Sequence, residues 1–333
     1  MSFNYSQICS NLLRVLPEKQ KKVISRRFAL LNGESEQAAL QRETLESIGE
    51  SYGITRERVR QIEKDGFFKL KSGIKKYQKV FQYFDQYLKS QGGLKKESSL
   101  LEELGGRNHQ NRVYFLLSLG ENFERFAETP KLHSLWAIDR SSLVTAEKVI
   151  DSLFKRLEKA GKPLRLNELA NFVSVGSKTL SSYLEVSKKI QKGPEGSFGL
   201  ENWPEIKPRG VKDKAYLVFK KEKKPLHFRE VASAINSALP QTVHNELIKD
   251  QRFTLVGRGL YALKEWGYEQ GYVKDVILRV LKTAQKPLTK EEILEKVLKQ
   301  RLVKENTILL NLSNKKYFNR TPEGFYTFKT KVA

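Results

Sequence analysis

Four side chains within the run Arg56-Glu57-Arg58-Val59-Arg60-Gln61 carry groups that tell one base pair from another: Arg56, Glu57, Arg60 and Gln61. A guanidinium pairs bidentately with guanine, a carboxylate accepts from the cytosine amino group, and a carboxamide pairs with adenine. Around them, Arg58, Lys64 and Lys69 supply cations, and Thr44 and Thr55 supply hydroxyls, of the kind that meet phosphate oxygens. The competing reading of the same residues is a solvated helix laced with pairs such as Glu57 to Gln61 and Arg60 to Lys64. No other chemistry can be placed. There is no Gly-rich phosphate loop, paired-carboxylate constellation or Ser-His-Asp order. His109, His133, His227 and His244 lack metal-ligand spacing and read as surface or cap residues. Catalysis, a metal and a cofactor are therefore not expected.

Base readers need a rigid element to carry them into a groove, and the stretch Thr44 to Leu70 provides one. Thr44 is placed to cap a first helix with Glu46 in its first turn. Gly53, within the turn Tyr52-Gly53-Ile54, takes the left-handed conformation that ends it, and Thr55 caps a second helix. Leu45, Ile48, Ile54, Val59 and Ile62 then share one inward face. This is the plan of a helix-turn-helix whose second helix enters the major groove. The wide groove of B-DNA suits such a helix better than RNA does.

The run ITRERVRQIE, with LPEKQKKVISRRFAL upstream, resembles region 4 of bacterial housekeeping sigma factors over about Leu12 to Leu70. The resemblance implies recognition of a −35 promoter element and docking on the flap of RNA polymerase. It assigns Arg56, Glu57 and Gln61 to base edges and Arg58 and Arg60 to the backbone or nearby bases. Nothing elsewhere resembles the region that melts the −10 element. Lys19, Lys21, Lys22, Arg26 and Arg27, just upstream, read equally as phosphate binders or a solvated face, with flap docking a third option.

The whole chain sets wider limits. Its 333 residues carry 61 Lys plus Arg against 38 acidic residues, a net charge of +23. That balance fits a soluble protein with a polyanionic partner: DNA, RNA or an anionic membrane surface. No apolar stretch is long enough to span a bilayer, and the N-terminus lacks a secretory pattern, so the expected location is the bacterial cytoplasm, on the nucleoid. The single cysteine, Cys9, excludes an internal disulfide framework and reads as a buried helix residue. Residues 3 to 31 read as helical, with Ile8, Leu12, Val15, Val23, Ile24, Phe28 and Leu31 apolar and Pro17 opening a new helix. A polar connection follows from Asn32 to Gln41, and Ile74 to Leu88 is again apolar at helical spacing.

Beyond it the chain repeats itself. GKPLRLNELANFV, KKPLHFREVASAI and QKPLTKEEILEKV align so that Leu164, Leu226 and Leu288 stand 62 residues apart. Glu168, Glu230 and Glu292 recur in phase, and each unit closes with a short aromatic run bearing glycine. A looser copy begins at Gly92. Each unit reads as helix, helix, recognition-type helix and β-hairpin, the clearest hairpin being Phe253–Val256 and Leu260–Leu263 around Gly257-Arg258-Gly259. The expected fold is mainly α with small β-hairpin wings: a helix-turn-helix domain at 1–76, a divergent winged-helix-like unit at 77–140, and winged-helix units at 141–206, 207–270 and 271–333. The K-P-L phrase, the apolar helix after it and the final strand resemble HARE-type winged helices. Trp136, Trp203 and Trp266 each close a unit core.

Winged helices bind protein as often as DNA, so each unit stands open between the two. The third helices offer Ser177, Lys178, Ser181 and Ser182, then Gln241, His244 and Asn245, then Lys304, Asn306 and Asn311 as outward residues. Lys220, Lys221, Lys223 and Lys224 precede a helix start, and Arg252, Arg258 and Lys264 surround the third wing; Arg258 and Lys264 are the expected phosphate contacts there. Three functions fit: a sequence-specific double-stranded DNA-binding transcription factor with RNA polymerase as a second partner, an architectural or adaptor protein, or the targeting subunit of a restriction or modification system.

Overall fold

The computed structural model describes residues 3–30, 41–236, 238–268, 271–301 and 303–329. Leu31 and the connection from Asn32 lie outside them, apart from Gln41. The chain forms two compact units, Met1–Glu201 and Asn202–Ala333.

The first unit opens with α1 (Tyr5–Leu13), capped by the Asn4 carboxamide, and α2 (Glu18–Arg27), which begins after Pro17. Val15, read as apolar core, lies in the turn between these helices and is 59% exposed, whereas its neighbour Leu16 is buried. α3 (Leu45–Tyr52) and α4 (Arg56–Gly73) follow. A 3₁₀ turn at Ile74–Tyr77 leads into α5 (Gln78–Ser90). Val80, Phe84 and Leu88 of α5 join one core cluster that runs from Tyr5 to Trp136, so the division expected at residue 76 crosses a continuous core. Cys9 is buried in that core.

After α5 come β1 (Leu94–Lys96), α6 (Glu97–Gly105), α7 (Gln110–Leu119), β2 (Glu124–Phe126) and β3 (Leu135–Ala137). The strands form an antiparallel sheet of order β1-β3-β2. α8 (Arg140–Ala160), α9 (Leu166–Ala170), α10 (Ser177–Val186), β4 (Ile190–Lys192) and β5 (Phe198–Leu200) complete the first unit. The second unit holds α11 (Gly210–Glu222), β6 (Leu226–His227), α12 (Phe228–Ile235), α13 (Pro240–Lys249), β7 (Phe253–Gly257) and β8 (Leu260–Leu263). α14 (Val273–Ala284), α15 (Lys290–Leu298), α16 (Glu305–Leu312), β9 (Phe318–Arg320) and β10 (Tyr326–Phe328) follow.

All four repeats share the order helix, helix, helix, strand, strand, with a short strand (β1 or β6) or a single-residue bridge before the second helix. The short first strand is missing from the sequence reading. Leu226 pairs with Tyr261 and Leu94 with Ala137, while Leu164 and Leu288 make single bridges to Phe198 and Tyr326. The leucine of each K-P-L phrase thus stitches the first helix to the wing. The recurring glutamates are caps: Glu168, Glu230 and Glu292 accept the backbone N–H of Arg165, His227 and Thr289 at 2.6, 2.6 and 2.8 Å. Each satisfies a donor at a helix start that would otherwise be orphaned.

The first two winged units are locked together. Ser182, expected to face outward, is fully buried, because its hydroxyl donates to the Leu94 carbonyl at 2.7 Å. Tyr183 donates to the Gly92 carbonyl at 2.9 Å, and Lys95 pairs with Glu103 and Glu185 at 3.2 Å each. The first wing is held too: Leu132 bridges to Ser187, and the His133 N–H donates to the Val186 carbonyl at 2.9 Å.

Candidate nucleic-acid interface

The helix-turn-helix forms where local chemistry demands it. The Thr44 hydroxyl accepts from Ser47 N–H at 3.1 Å, and the Thr55 hydroxyl from Arg58 N–H at 3.2 Å. Gly53 sits at φ 63°, and Tyr52 belongs to α3, so the turn proper is Gly53-Ile54. Val23, Ile48, Val59 and Ile62 form a small separate core, with Leu45 and Ile54 packed on it. Burying each of those four side chains is worth about 1.5–3 kcal/mol relative to exposure. The entry angle is fixed by Arg26, whose Nε and Nη2 donate to the Glu43 carboxylate at 2.7 and 2.6 Å while Nη1 donates to Ser51 at 2.6 Å. The Arg26 hydrogen bonds hold the Glu43 carboxyl below its ordinary pKa, and those with Glu43 raise the guanidinium.

Arg56, Glu57, Arg58, Arg60, Gln61, Lys64 and Lys69 are all exposed on α4. Counting about 100° per residue, Glu57, Gln61, Lys64 and Phe68 lie opposite the buried stripe Val59, Ile62, Gly66 and Leu70. Arg56 lies on one flank with Glu63 and Phe67, Arg60 between that flank and the outward stripe, and Arg58 with Lys69 on the other flank. The polar groups hold one another. Arg60 donates twice to Glu57, at 2.8 and 2.7 Å, and Arg58 donates to the Gln61 carboxamide oxygen at 3.0 Å. The Arg60 hydrogen bond lowers the Glu57 pKa and keeps that carboxyl an acceptor. Arg56 makes no ion pair among the described residues. Glu57, Arg58, Arg60 and Gln61 are thus tied to one another in pairs along the helix surface.

Of the upstream cluster, Lys19 and Lys22 are exposed, Lys21 pairs with Glu18 at 4.0 Å, and Arg26 and Arg27 serve the fold. Arg27 lies 3.5 Å from Glu63 and donates to the Glu43 carbonyl at 2.8 Å. Sequence reading missed the cleft beside this pair. Arg27, Phe28, Arg42, Arg60, Glu63, Lys64, Phe67, Tyr114, Ser118 and Arg125 line an open volume of about 640 Å³. Its members are spread over a hundred positions and carry no local signature.

In the second unit, Arg258 is exposed at the tip of the β7–β8 hairpin, beside Gly259 at φ 70°. Lys264 is also exposed but lies past the far end of β8, away from that tip, so the two do not meet. Arg252 is committed to Asp250 and Asp213 at 2.6 and 2.7 Å, and Lys220 to Glu265 at 3.1 Å. His244, read as an outward residue of the third helix, packs between Phe228, tilted to it, and Tyr261, edge-on to it, with centroids 4.6 and 5.8 Å away. His227 caps α12. Among the described residues no group of His, Cys, Asp and Glu could hold a metal ion, and no helix is long and apolar enough to cross a membrane.

Residues 12–72 match the family model described as Sigma-70, region 4. Over 62 residues the chain is 47% identical to the RNA polymerase sigma factor RpoD of Helicobacter pylori, and over 64 residues it is 38% identical to the chloroplastic RNA polymerase sigma factor sigF of Arabidopsis thaliana. Each match covers 19% of this chain and 8% or 10% of the relative's own length. The chain therefore carries a DNA-binding helix-turn-helix of the sigma region 4 type, joined to winged helices that these relatives do not account for.

Proposed function

We propose that this protein is a sequence-specific double-stranded DNA-binding regulator of transcription. In this reading α4 enters the major groove, Arg56, Glu57, Arg60 and Gln61 meet base edges, and Thr44, Thr55, Arg58, Lys64 and Lys69 meet the backbone. The observation that carries it is the exposed set on a helix held by the Thr55 cap and the Arg27–Glu63 pair. RNA polymerase is the proposed second partner and the bacterial nucleoid the proposed location. The units at 207–270 and 271–333 are proposed as HARE-type, with Arg258 and Lys264 as phosphate contacts.

Selection from random duplexes should enrich one motif. On that motif and a scrambled duplex, Arg56→Ala or Gln61→Ala should cost about 1–3 kcal/mol on the first only, whereas Lys264→Ala should weaken both alike. Equal losses on both duplexes for the α4 variants would remove direct readout. The architectural or adaptor reading would then lead, and one observation already favours it: α10 spends its buried face on the neighbouring unit.

A further inference from the structure

The cleft beside α4 has a charge and a position that the reading of α4 alone does not use. A helix with its side chains is about 10–12 Å across and the major groove of B-DNA about 12 Å wide, so each flank of a seated helix faces a sugar–phosphate strand. On one flank of α4 stand Arg58 and Lys69. The other flank opens into the cleft, whose lining includes Arg60 and Lys64 of α4 itself. Arg27 and Arg125 are fixed in its wall, Arg27 by Glu63 at 3.5 Å and Arg125 by two hydrogen bonds to Glu97 at 2.5 and 2.9 Å. Arg42 and Lys64 make no ion pair among the described residues. The Arg42 guanidinium instead rests over the Tyr114 ring, 3.8 Å from its centroid. Phe28 and Phe67, in tilted contact at 5.4 Å, line the cleft beside it and supply apolar surface next to these cations. Glu63 is the one carboxylate in the lining, and burial raises its pKa against the pull of Arg27.

We propose that this cleft is a phosphate site for the same duplex that α4 enters, so that the helix-turn-helix and the first winged unit make one composite DNA surface. The inference rests on the reading of α4 as a groove-entering helix. Arg42 and Lys64 close on one backbone phosphate at the edge of the α4 footprint, and Arg125, borne on β2 of the winged unit and paired with Glu97, turns the guanidinium end of that pair to the cleft. An acidic peptide fits the charge but not the continuity with the α4 flank, which singles out a ligand that already lies along α4.

The test uses the full chain, the selected duplex, and single methylphosphonate substitutions that remove one phosphate charge at a time along both strands. Arg42→Ala should reduce the slope of log affinity against log salt by about 0.9, so that the wild-type advantage falls about threefold between about 50 and about 200 mM salt. The preferred motif should be unchanged. One methylphosphonate position should weaken the wild type and leave Arg42→Ala unaffected. Ser118→Glu, which sets an anion in the cleft without removing an arginine, should weaken every duplex, and Arg42→Lys should keep the wild-type slope. Specific binding by the wild type with an unchanged slope in Arg42→Ala and Ser118→Glu would overturn the cleft and leave the α4 reading standing. Failure of the wild type to bind any duplex would remove both. Arg42-dependent binding of poly-glutamate, with no Arg42 effect on DNA, would assign the cleft to an acidic protein partner and overturn the phosphate site.

Discussion

Replacing Gly49 with alanine should damage the reading helix while improving the helix that contains the change. Gly49 is buried in α3, and the turn folds back onto it: a Cβ there would stand 2.7 Å from the Ile54 carbonyl oxygen and 3.4 Å from the Arg56 nitrogen. Both neighbours are backbone, and the Ile54 N–H already donates to the Gly49 carbonyl at 3.0 Å, so the turn cannot rotate aside. Alanine gains about 0.8–1.0 kcal/mol of helix propensity, whereas forcing a methyl into a closed contact costs about 1–3 kcal/mol. The net expectation is a loss of about 1 kcal/mol, concentrated in α3 and the start of α4. Gly73→Ala is the matched control, because its Cβ meets only Leu12 Cδ2 at 3.4 Å. It should be neutral or stabilising by up to about 0.8 kcal/mol. Urea unfolding followed by circular dichroism gives the global change, and amide exchange in residues 45–62 localises it. Affinity for the selected duplex should fall in Gly49→Ala by more than stability does, since the displaced atoms are those that aim Arg56. A Gly49→Ala protein as stable as Gly73→Ala, with unaltered exchange and affinity, would refute the packing argument.

Glu43→Gln should cost about 1–2 kcal/mol at pH 7, a figure discounted for the partial exposure of the pair. Arg26 lowers the folded-state pKa of Glu43, so its contribution is complete above the unfolded value of about 4.3 and is lost as pH falls through the depressed folded value. The gap between wild-type and variant urea midpoints should therefore shrink toward pH 3, and an equal gap at both pH values would show that the charge is not responsible. Cys9 is 3% exposed and burial pushes its thiol up to about 12; it should resist Ellman's reagent at pH 8 until the first unit unfolds.

What could be seen in the sequence was what local chemistry decides. Thr44, Gly53 and Thr55 act on their own neighbours, so both caps and the left-handed turn were legible without any tertiary knowledge. Periodicity exposed the repeats, because a leucine and a glutamate return to the same place in the units that begin at Gly161, Lys223 and Gln285. The jobs of those residues were less visible. A strand of one or two residues exists only through its partner, so Leu164 pairing with Phe198 leaves no alternation to read. Ser182 looked like a surface residue because its acceptor, the Leu94 carbonyl, lies 88 positions away. The cleft at Arg42 was hidden for the same reason, its members being brought together by α7 docking on α4 through Phe28, Phe67 and Phe115.

That docking also supports the proposal that base reading falls to α4 and not to the helix that serves this role in a winged helix standing alone. α7 is wedged between its own core and the helix-turn-helix, with Phe115, Leu116 and Leu117 fully buried. α10 gives Ser182 and Tyr183 to the preceding unit. α13 and α16 are freer, yet each carries Glu246 or Glu305 and displays large apolar side chains: Ile248 at 62% and Leu310 at 74% exposure. A phosphate-lined groove repels such carboxylates and gains nothing from such side chains beyond an occasional thymine methyl. α4 also displays an apolar side chain, Phe68 at 80% exposure, and is set apart by its charge balance: Arg56, Arg58, Arg60, Lys64, Lys69 and Lys71 stand against Glu57, Glu63 and Asp65, with Glu57 held by Arg60 and Glu63 by Arg27. In the proposed reading the helix-turn-helix supplies the reader, while the two wings beside it in the first unit commit their third helices, α7 and α10, to packing.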